Sequence, residues 1–358
     1  MKLTYIAVCS LNGNPGITKK INDWTDAAFE LGLEANSVII SPTGGLRSYF
    51  EFNLEIINSK NKILFLRNPT HLRFLLFFSV LIARINKCKI FIDVPSPIYV
   101  LVKEILGRRE NKLVKYLTAL ELIISSSIPF IFANKIIQYA NENWWYQIGC
   151  RNKTLVIGNG ISVSRIKSRI VNPTWPSTKL VLIGVANVAI WHGYDRMLLA
   201  ISMFNKTIDL KYKVYFNIVG DGPDLSNLKK LVKIYDIEQY VTFHGMLSDS
   251  DQIHSIYENS HIAVSSLGLF RIGLEMASVL KSREYVATGM PFIYAGDDID
   301  FMQPNNFRFM VSNTENVNDI VELLQNFNNI KFPKPTEIRN YAINNLSVVE
   351  KLKQIIES

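Results

Sequence analysis

The sequence predicts an α/β protein made of two doubly wound, parallel-sheet (Rossmann-like) domains that face each other across a cleft. Its 358 residues, 48% of them hydrophobic, suffice for two domains with cores of ordinary size. Short, continuously apolar runs alternate with segments at helical spacing, as expected when helices cover both sheet faces. One stretch with two prolines and no apolar periodicity, residues 165–178, separates two such series.

The first half follows this alternation with one glycine-containing loop. We predict a helix over about 18–31 and strands at the following apolar runs: 3–10, 37–41, 62–67, 89–94 and 153–160. The loop Gly13–Gly16 joins the first strand to the first helix, where the backbone amides of Gly16 and its neighbours can approach a phosphate or sugar. An ordinary Asn-Pro-Gly turn is the alternative.

The second half shows the alternation more clearly. Predicted strands are residues 179–185, 213–220, 241–245, 262–267, 291–295 and 307–312, and the segments between them have helical spacing. We therefore predict an N-terminal domain over 1–168 and a C-terminal domain over 169–332. Two amphipathic helices in 333–358 are expected to pack back on the N-terminal domain.

Charge and cysteine content limit the function classes. The three cysteines are far apart and have no metal-ligand spacing, which disfavours disulfides and zinc and fits a reducing cytoplasm. Residues 1–168 carry 21 Lys and Arg against 11 Asp and Glu, so they can attract an anionic membrane surface or a phosphorylated substrate, unless the excess is only a solvated surface. No nucleic acid is expected, because the basic residues lack interleaved aromatic motifs. The apolar run 74–83 is too short to span a bilayer and is either a core helix or, with its flanking cations, a contact with anionic lipid.

A charged run, Lys281 to Glu284, precedes a Gly-x-Pro turn and an apolar strand. On a helix, Lys281 and Glu284 share one face, whereas Arg283 points elsewhere. A carboxylate can accept hydrogen bonds from a vicinal diol such as ribose, and an ammonium can hold a phosphate. This pair therefore suits a nucleoside diphosphate; a surface ion pair is the alternative.

The segment 281–291 resembles the K-x-x-E-Y-x-A-x-G-x-P signature of GT-B glycosyltransferases close to family four. Residues 183–198, 219–231 and 241–245 are similar to further motifs of that family in the same order. The resemblance covers 180–312 and implies the GT-B type of fold. It also implies that 1–168 is the acceptor-side domain, that 169–332 is the donor domain, and that Glu284 holds the donor ribose. Residues 91–104 are similar to an N-domain segment of a bacterial subgroup that makes surface polysaccharide.

The sequence departs from the family pattern where the donor sugar is bound. The first acid of the usual E-x7-E would fall on Met276, and the nearest acid, Glu275, is one position away, about 100° on a helix. Either Glu275 serves after a shift of the loop, or Arg271 and the main chain of Gly268–Gly273 replace it.

Further candidates lie in loops that follow strands. His192 stands where the family has a lysine, so the resemblance places more of the diphosphate charge on Lys281 and Arg271; a satisfied loop histidine is the alternative. Gly222 belongs to the turn after the second strand of the donor domain. Asp93 is either an acceptor-side group or a turn cap before Pro95. Asp298 and Asp300 mimic a metal-binding D-x-D but lie too far downstream of the strand that this motif follows.

The resemblance implies a hexosyltransferase-type enzyme that is retaining, independent of metal and without a cofactor. Expected partners are a nucleotide-sugar donor, a glycan or polyprenyl-diphosphate-linked acceptor, and an anionic membrane surface. The protein would act in the cytoplasm, peripherally on the cytoplasmic face of the inner membrane, in polysaccharide synthesis. A non-catalytic GT-B partner subunit and a sugar-nucleotide epimerase on the same scaffold are the alternatives.

Overall fold

The computed structural model describes residues 2–10, 15–107, 111–170, 178–207 and 211–358. The chain divides into two compact units: the first comprises Met1–Ser162 and Val348–Ser358, and the second Val163–Ser347. The division lies six residues before the predicted boundary. Residues 11–14 of the predicted glycine loop and 171–177 of the predicted linker lie outside the described residues.

Each unit has one six-stranded sheet in which every strand pairing is parallel. The strands are β1 (Lys2–Val8), β2 (Glu34–Ile40), β3 (Lys62–Arg67), β4 (Lys89–Val94), β5 (Lys135–Gln138), β6 (Thr154–Val156), β7 (Lys179–Val185), β8 (Lys213–Val219), β9 (Val241–Gly245), β10 (Ile262–Val264), β11 (Phe292–Ala295) and β12 (Arg308–Val311). The predicted fold class is confirmed, although β5 was missed because its four residues give too short an apolar run.

Helices follow most strands. They are α1 (Pro15–Glu30), α2 (Leu46–Ile57), α3 (Arg73–Ile85), α4 (Ile98–Gly107), α5 (Lys112–Ser125), α6 (Tyr194–Asn205), α7 (Leu225–Ile234), α8 (Ser250–Glu258), α9 (Leu280–Thr288), α10 (Asn318–Asn326), α11 (Pro335–Asn345) and α12 (Val348–Glu357). In the part of the chain that the structure describes, no helix is both long and apolar enough to span a bilayer.

The first sheet has the order β2-β1-β3-β4-β5-β6 and carries an apolar cluster on each face. One face packs against α1 and α12, with Trp24 and Leu352 buried. Tyr5, Phe65 and Phe91 form a cross-strand row on this face, with neighbouring ring centroids 6.2 and 5.0 Å apart. The other face packs against α2 and α3.

The last two helices belong to different units. α12 packs on α1 in the first unit, whereas α11 packs on α9 in the second. Residues 333–358 were expected to pack back together on the N-terminal domain, but α11 stays with the second unit. The break between them is at Leu346–Ser347, where the chain leaves one core and enters the other.

The second sheet has the order β12-β11-β10-β7-β8-β9, so the direction of strand succession reverses between β10 and β7. In open α/β sheets, ligands bind outside the carboxyl ends of the strands at such a reversal. Gly289 ends α9 with φ 87°, the left-handed conformation that glycine adopts without strain. The Gly-x-Pro turn thus stops this helix and starts β11.

Candidate functional site: the carboxyl ends of β7 and β10

The candidate site is built from the loops that follow β7 and β10. A short 3-10 helix, Ile190–His192, and the start of α6 come from the first loop, and the segment Ser265–Gly273 comes from the second. The two loops are joined by backbone hydrogen bonds from Leu267 N to His192 O and from Gly268 N to Trp191 O, at 2.9 and 3.2 Å. They therefore form one platform at the strand-order reversal.

Glycines allow these loops to approach closely. Gly193 has φ 62°, and a Cβ there would lie 2.7 Å from Gly268 N. Gly268 packs in return against Ile190 O, which would lie 2.8 Å from a Cβ on Gly268. Gly222, with φ 155°, plays the same part in the loop after β8, where a Cβ would be 2.3 Å from Val188 O. The predicted substrate contacts of Gly268 and Gly222 stay predictions, but backbone packing alone requires glycine at both positions.

Lys281 lies at the start of α9 beside this platform. Its Nζ donates a hydrogen bond to the Tyr194 hydroxyl at 3.3 Å and lies 5.0 Å from the centroid of the Tyr194 ring. Burial lowers the pKa of Lys281 well below its usual value. Among the described residues, no carboxylate forms an ion pair with this ammonium. A desolvated cation without a counter-charge favours the binding of an anion at this position.

His192 adds a neutral hydrogen-bond donor to the site. Its Nδ1 accepts a hydrogen bond from Ala189 N at 3.0 Å, which leaves the proton of the neutral ring on Nε2. Burial, followed by the charge of Lys281, lowers the pKa of His192 well below its usual value, so the ring is neutral at pH 7. Nδ1 is thus hydrogen-bonded within its own loop, as the alternative interpretation expects. The Nε2–H group can still donate to a ligand.

Glu284 lies one helical turn after Lys281, as the sequence predicts, and is half-buried. Its neighbours include two buried tyrosines: Tyr285, which belongs to the signature quoted above, and Tyr257, which the sequence analysis did not place near Glu284. Burial, followed by the charge of Glu284, raises the pKa of Tyr257 well above its usual value, and burial raises that of Tyr285. The Tyr257 hydroxyl is buried and has no hydrogen-bond partner among the described residues. Tyr257 of α8 lies near Glu284 of α9 only in the folded chain, and nothing in the sequence of either helix indicates this proximity.

Arg271 is held by protein groups on all of its N–H donors. Nη1 and Nη2 donate to Asp195 at 2.8 and 2.7 Å, Nε and Nη2 donate to Glu315 at 3.0 and 2.7 Å, and Nη1 also donates to Ile190 O at 3.0 Å. This guanidinium therefore fastens α6 and the Ile190–His192 turn to the loop after β10. The predicted contact of Arg271 with diphosphate stays a prediction, and it would have to compete with two carboxylates.

Glu275 is exposed, but the expectation that Glu275 and Met276 lie on a helix was wrong. Residues 274–279 are not helical, because α9 begins only at Leu280. Met276 instead forms a β-bridge with Asp297, and Glu275 O accepts a hydrogen bond from Asp297 N at 2.7 Å. In extended backbone, successive side chains point to opposite sides, so Glu275 and Met276 do not differ by a helical rotation of about 100°.

The Asp-x-Asp segment pairs with Arg283, which is fully buried. Asp298 accepts from both Nη atoms of Arg283, and Asp300 Oδ2 accepts from Nη2 at 2.7 Å. Arg283 thus points away from Lys281 and Glu284, as predicted. Both carboxylates are used inside the second unit.

Two predicted residues lie in the first unit. Gly16 is at the exposed start of α1, and a Cβ there would have no atom within 4 Å. Asp93, only 1% exposed, accepts hydrogen bonds from Tyr5, from Lys20 at 3.2 Å and from Arg67 at 3.3 Å. The carboxylate of Asp93 thus binds these three side chains and does not cap the turn before Pro95, while its predicted role on the acceptor side stays a prediction.

Comparisons with known proteins agree with this architecture. Residues 166–276 match the family model described as glycosyl transferases group 1. A search of curated protein sequences finds no significant match.

Solved structures with a similar fold cover between 87% and 100% of the chain. The apo lipopolysaccharide outer core galactosyltransferase WaaB has a TM-score of 0.67 at 12% identity, over 99% of both chains. The sucrose-phosphate synthase of Thermosynechococcus elongatus has a TM-score of 0.67 at 12% identity, over 100% of this chain and 98% of its own. The pneumococcal O-GlcNAc transferase GtfA, solved with UDP and GlcNAc, has a TM-score of 0.53 at 13% identity over 87% of this chain and 60% of its own.

Proposed function

We propose that this chain, a glycosyltransferase of the GT-B fold, moves a hexose from a nucleotide-sugar donor to a glycan or polyprenyl-diphosphate-linked glycan. The reaction proposed retains the anomeric configuration, needs no metal and serves surface polysaccharide synthesis. The observation that carries the donor assignment is the Lys281 ammonium at the strand-order reversal, which is desolvated and has no carboxylate partner among the residues that the structure describes.

Each residue of the site has a part in this proposal. Lys281 and the Nε2–H of His192 stabilise the negative charge that develops on the leaving diphosphate, where preorganised donors contribute most to the rate. Glu284 accepts hydrogen bonds from the ribose hydroxyls. Glu275, which is exposed, is assigned the sugar contact in preference to Arg271, whose donors are occupied by Asp195 and Glu315.

The acceptor is assigned to the first unit, which carries most of the basic excess of the chain. A diphosphate-linked lipid would be attracted by that charge, and WaaB, to which the fold is similar, acts on lipopolysaccharide outer core by its printed name. The proposed place of action is the cytoplasm, peripherally on the cytoplasmic face of the inner membrane. Three free, buried cysteines fit a reducing compartment.

Glu284→Ala tests the donor assignment. UDP, GDP and dTDP sugars are added to the purified full-length protein, and the shift in the midpoint of thermal unfolding is measured, since a ligand bound only by the folded state stabilises it by mass action. The sugar nucleotide that stabilises the parent protein should no longer do so in the variant. Glu322→Ala, at an exposed acid on α10, is the matched control and should keep the full shift. An unchanged shift in Glu284→Ala would refute the assignment.

Labelled donor then separates the proposal from its alternatives. Transfer of label to a lipid extract supports the transferase, and a chelator should leave that transfer unchanged. Isomerised donor without transfer would identify a sugar-nucleotide epimerase. Binding without turnover would identify a non-catalytic partner subunit.

A further inference from the structure

Three helices of the first unit expose large apolar side chains on their outer sides. The residues, each 36–71% exposed, are Leu46, Phe50 and Leu54 of α2, Phe74, Phe78, Ile82 and Ile85 of α3, and Leu113, Val114, Tyr116, Leu117, Leu120, Ile123 and Ile124 of α5. We call this set the apolar face. Its helices are neighbours, because α2 packs against α3 and α3 against α5.

α5 exposes more large apolar side chains than it buries. Its buried side holds Leu122 and the small residues Thr118, Ala119 and Ser125, while large side chains at i, i+3, i+4, i+7 and i+11 from Leu113 remain exposed. A helix of a monomeric soluble domain turns its large apolar side chains towards the core. The exposed side of α5 therefore has the composition of a contact surface.

The extent of the apolar face supports the same conclusion. A large side chain buries roughly 150–250 Å² when fully enclosed, so this set of half-exposed residues presents on the order of 1,000 Å² of apolar surface. The largest apolar patch on a typical monomer is about 300–600 Å². A surface above that range indicates a partner.

The charges near the apolar face identify the partner. Segments 46–89 and 112–125 contain ten Lys and Arg, three Glu and no Asp. Exposed cations among them are Arg47, Lys60, Arg84, Lys87, Lys89 and Lys112. An apolar surface with cationic flanks fits an anionic lipid bilayer, which takes the apolar side chains into its interface and the cations at its headgroups. In a two-fold dimer through the same face, the cations of one protomer would lie close to the cations of the other.

An exposed aromatic pair lies beside the same helices. Trp144 and Trp145 are more than half exposed, with ring centroids 4.1 Å apart, and the following Tyr146 packs on the cluster between α4 and α5. Tryptophan is enriched at the level of the lipid headgroups, where its ring is half in apolar surroundings. We propose that the apolar face docks this protein onto an anionic bilayer, with α5 and the Trp144–Trp145 pair lying in the interface.

The test uses the full-length protein without donor. Flotation with phosphatidylcholine vesicles and with mixed phosphatidylglycerol–phosphatidylcholine vesicles measures the partition coefficient of the parent and of Leu117→Ser/Leu120→Ser/Ile124→Ser. Because each side chain gives up about half of its apolar contact, binding by the triple variant should fall by on the order of a hundredfold. Ile234→Ser/Met310→Ser, at equally exposed positions of the second unit, is the matched control and should bind like the parent.

A charge-reversed variant, Lys87→Glu/Lys112→Glu, tests the cationic flank. It should lose binding to the mixed vesicles, and the parent should bind these less as salt is added. The proposal is overturned if the α5 triple variant, with an unchanged unfolding midpoint, floats like the parent. It is also overturned if the parent binds no vesicles and is a dimer that the triple variant converts to a monomer.

This inference goes beyond the donor assignment and is separable from it. The vesicle measurement contains no nucleotide, and the thermal shift with sugar nucleotides can be repeated on the α5 triple variant. Loss of flotation with a retained shift supports docking through the apolar face. A parent that floats but is not stabilised by any sugar nucleotide would refute the proposed function and leave the docking surface standing.

Discussion

Replacing Lys281 with methionine should separate the effect of this lysine on folding stability from its effect on nucleotide affinity. The ammonium is desolvated and its polar contact within the protein is the Tyr194 hydroxyl. Methionine keeps most of the volume and removes the charge. The free protein should therefore gain stability, by about 0.5–2 kcal/mol, since functional groups are often retained at a cost to the fold.

Binding should change in the opposite direction. A charge-assisted hydrogen bond contributes about 1.5–3 kcal/mol, and two unit charges about 4 Å apart attract by about 4 kcal/mol near a protein surface. Lys281→Met should therefore weaken the binding of the nucleoside diphosphate by about ten- to a thousandfold. The lowered pKa adds a second signature: a bound diphosphate raises the pKa of Lys281, so in the pH range where the free lysine titrates, binding should take up protons in the parent protein and not in the variant.

Denaturant titration of the free protein gives the change in stability. Isothermal titration with UDP, GDP and dTDP, in buffers of different ionisation enthalpy, gives affinity and proton uptake. Lys230→Met, at an exposed position on α7, is the matched control and should change neither quantity. The reasoning is refuted if Lys281→Met destabilises the free protein and binds nucleotide as tightly as the parent, because the lysine would then serve only the fold.

Three further predictions concern stability, measured by denaturant titration. Gly193→Ala should lower the free energy of unfolding by about 1–3 kcal/mol, because φ is 62° and the new Cβ would collide with the backbone of the neighbouring loop. Gly16→Ala, where a Cβ has no atom within 4 Å, should be nearly neutral. Equal effects of the two variants would contradict this account. Arg283→Met should cost about 3–5 kcal/mol, because it leaves Asp298 and Asp300 without their buried partner, and an unchanged unfolding midpoint would show that the pairs are dispensable. Burial lowers the pKa of Lys20 to about 8, partly offset by Asp93. The unfolded chain then binds more protons than the folded chain between pH 8 and about 10, so stability should rise with pH there, and Lys20→Met should flatten that rise.

The alternation of apolar runs and helical spacing made the fold class predictable. The interior of a strand that is buried on both faces is apolar, and the sequences of β3 and β7 meet this condition between their terminal residues. Two elements were missed for different reasons. β5 has only four residues, and α5 has large apolar residues in a pattern that predicts a helix but not which side is buried.

The candidate site was predictable to the extent that it lies on one element. Lys281 and Glu284 share a helix face because their spacing is three, and the Gly289 turn ends that helix because glycine adopts a positive φ. The E-x7-E comparison failed where it assumed a helix in 274–279, because pairing of Met276 with Asp297, a contact distant in sequence, holds that segment extended. Tyr257 escaped because its proximity to Glu284 exists only in the folded chain.

By itself the sequence determined the two doubly wound sheets, the order of their motifs and the helix that carries Lys281 and Glu284, because each depends on spacing along the chain. Only the tertiary structure decided which charges are neutralised: Arg271 by Asp195 and Glu315, Arg283 by Asp298 and Asp300, and Asp93 by Lys20 and Arg67. Lys281 differs from these groups because folding partly buries and desolvates its ammonium, and no carboxylate in the described part of the chain pairs with it. The physical reason is that the energy of a charge or of an apolar side chain depends on the groups around it. When those groups are distant in sequence, only the packing of the folded chain brings them together.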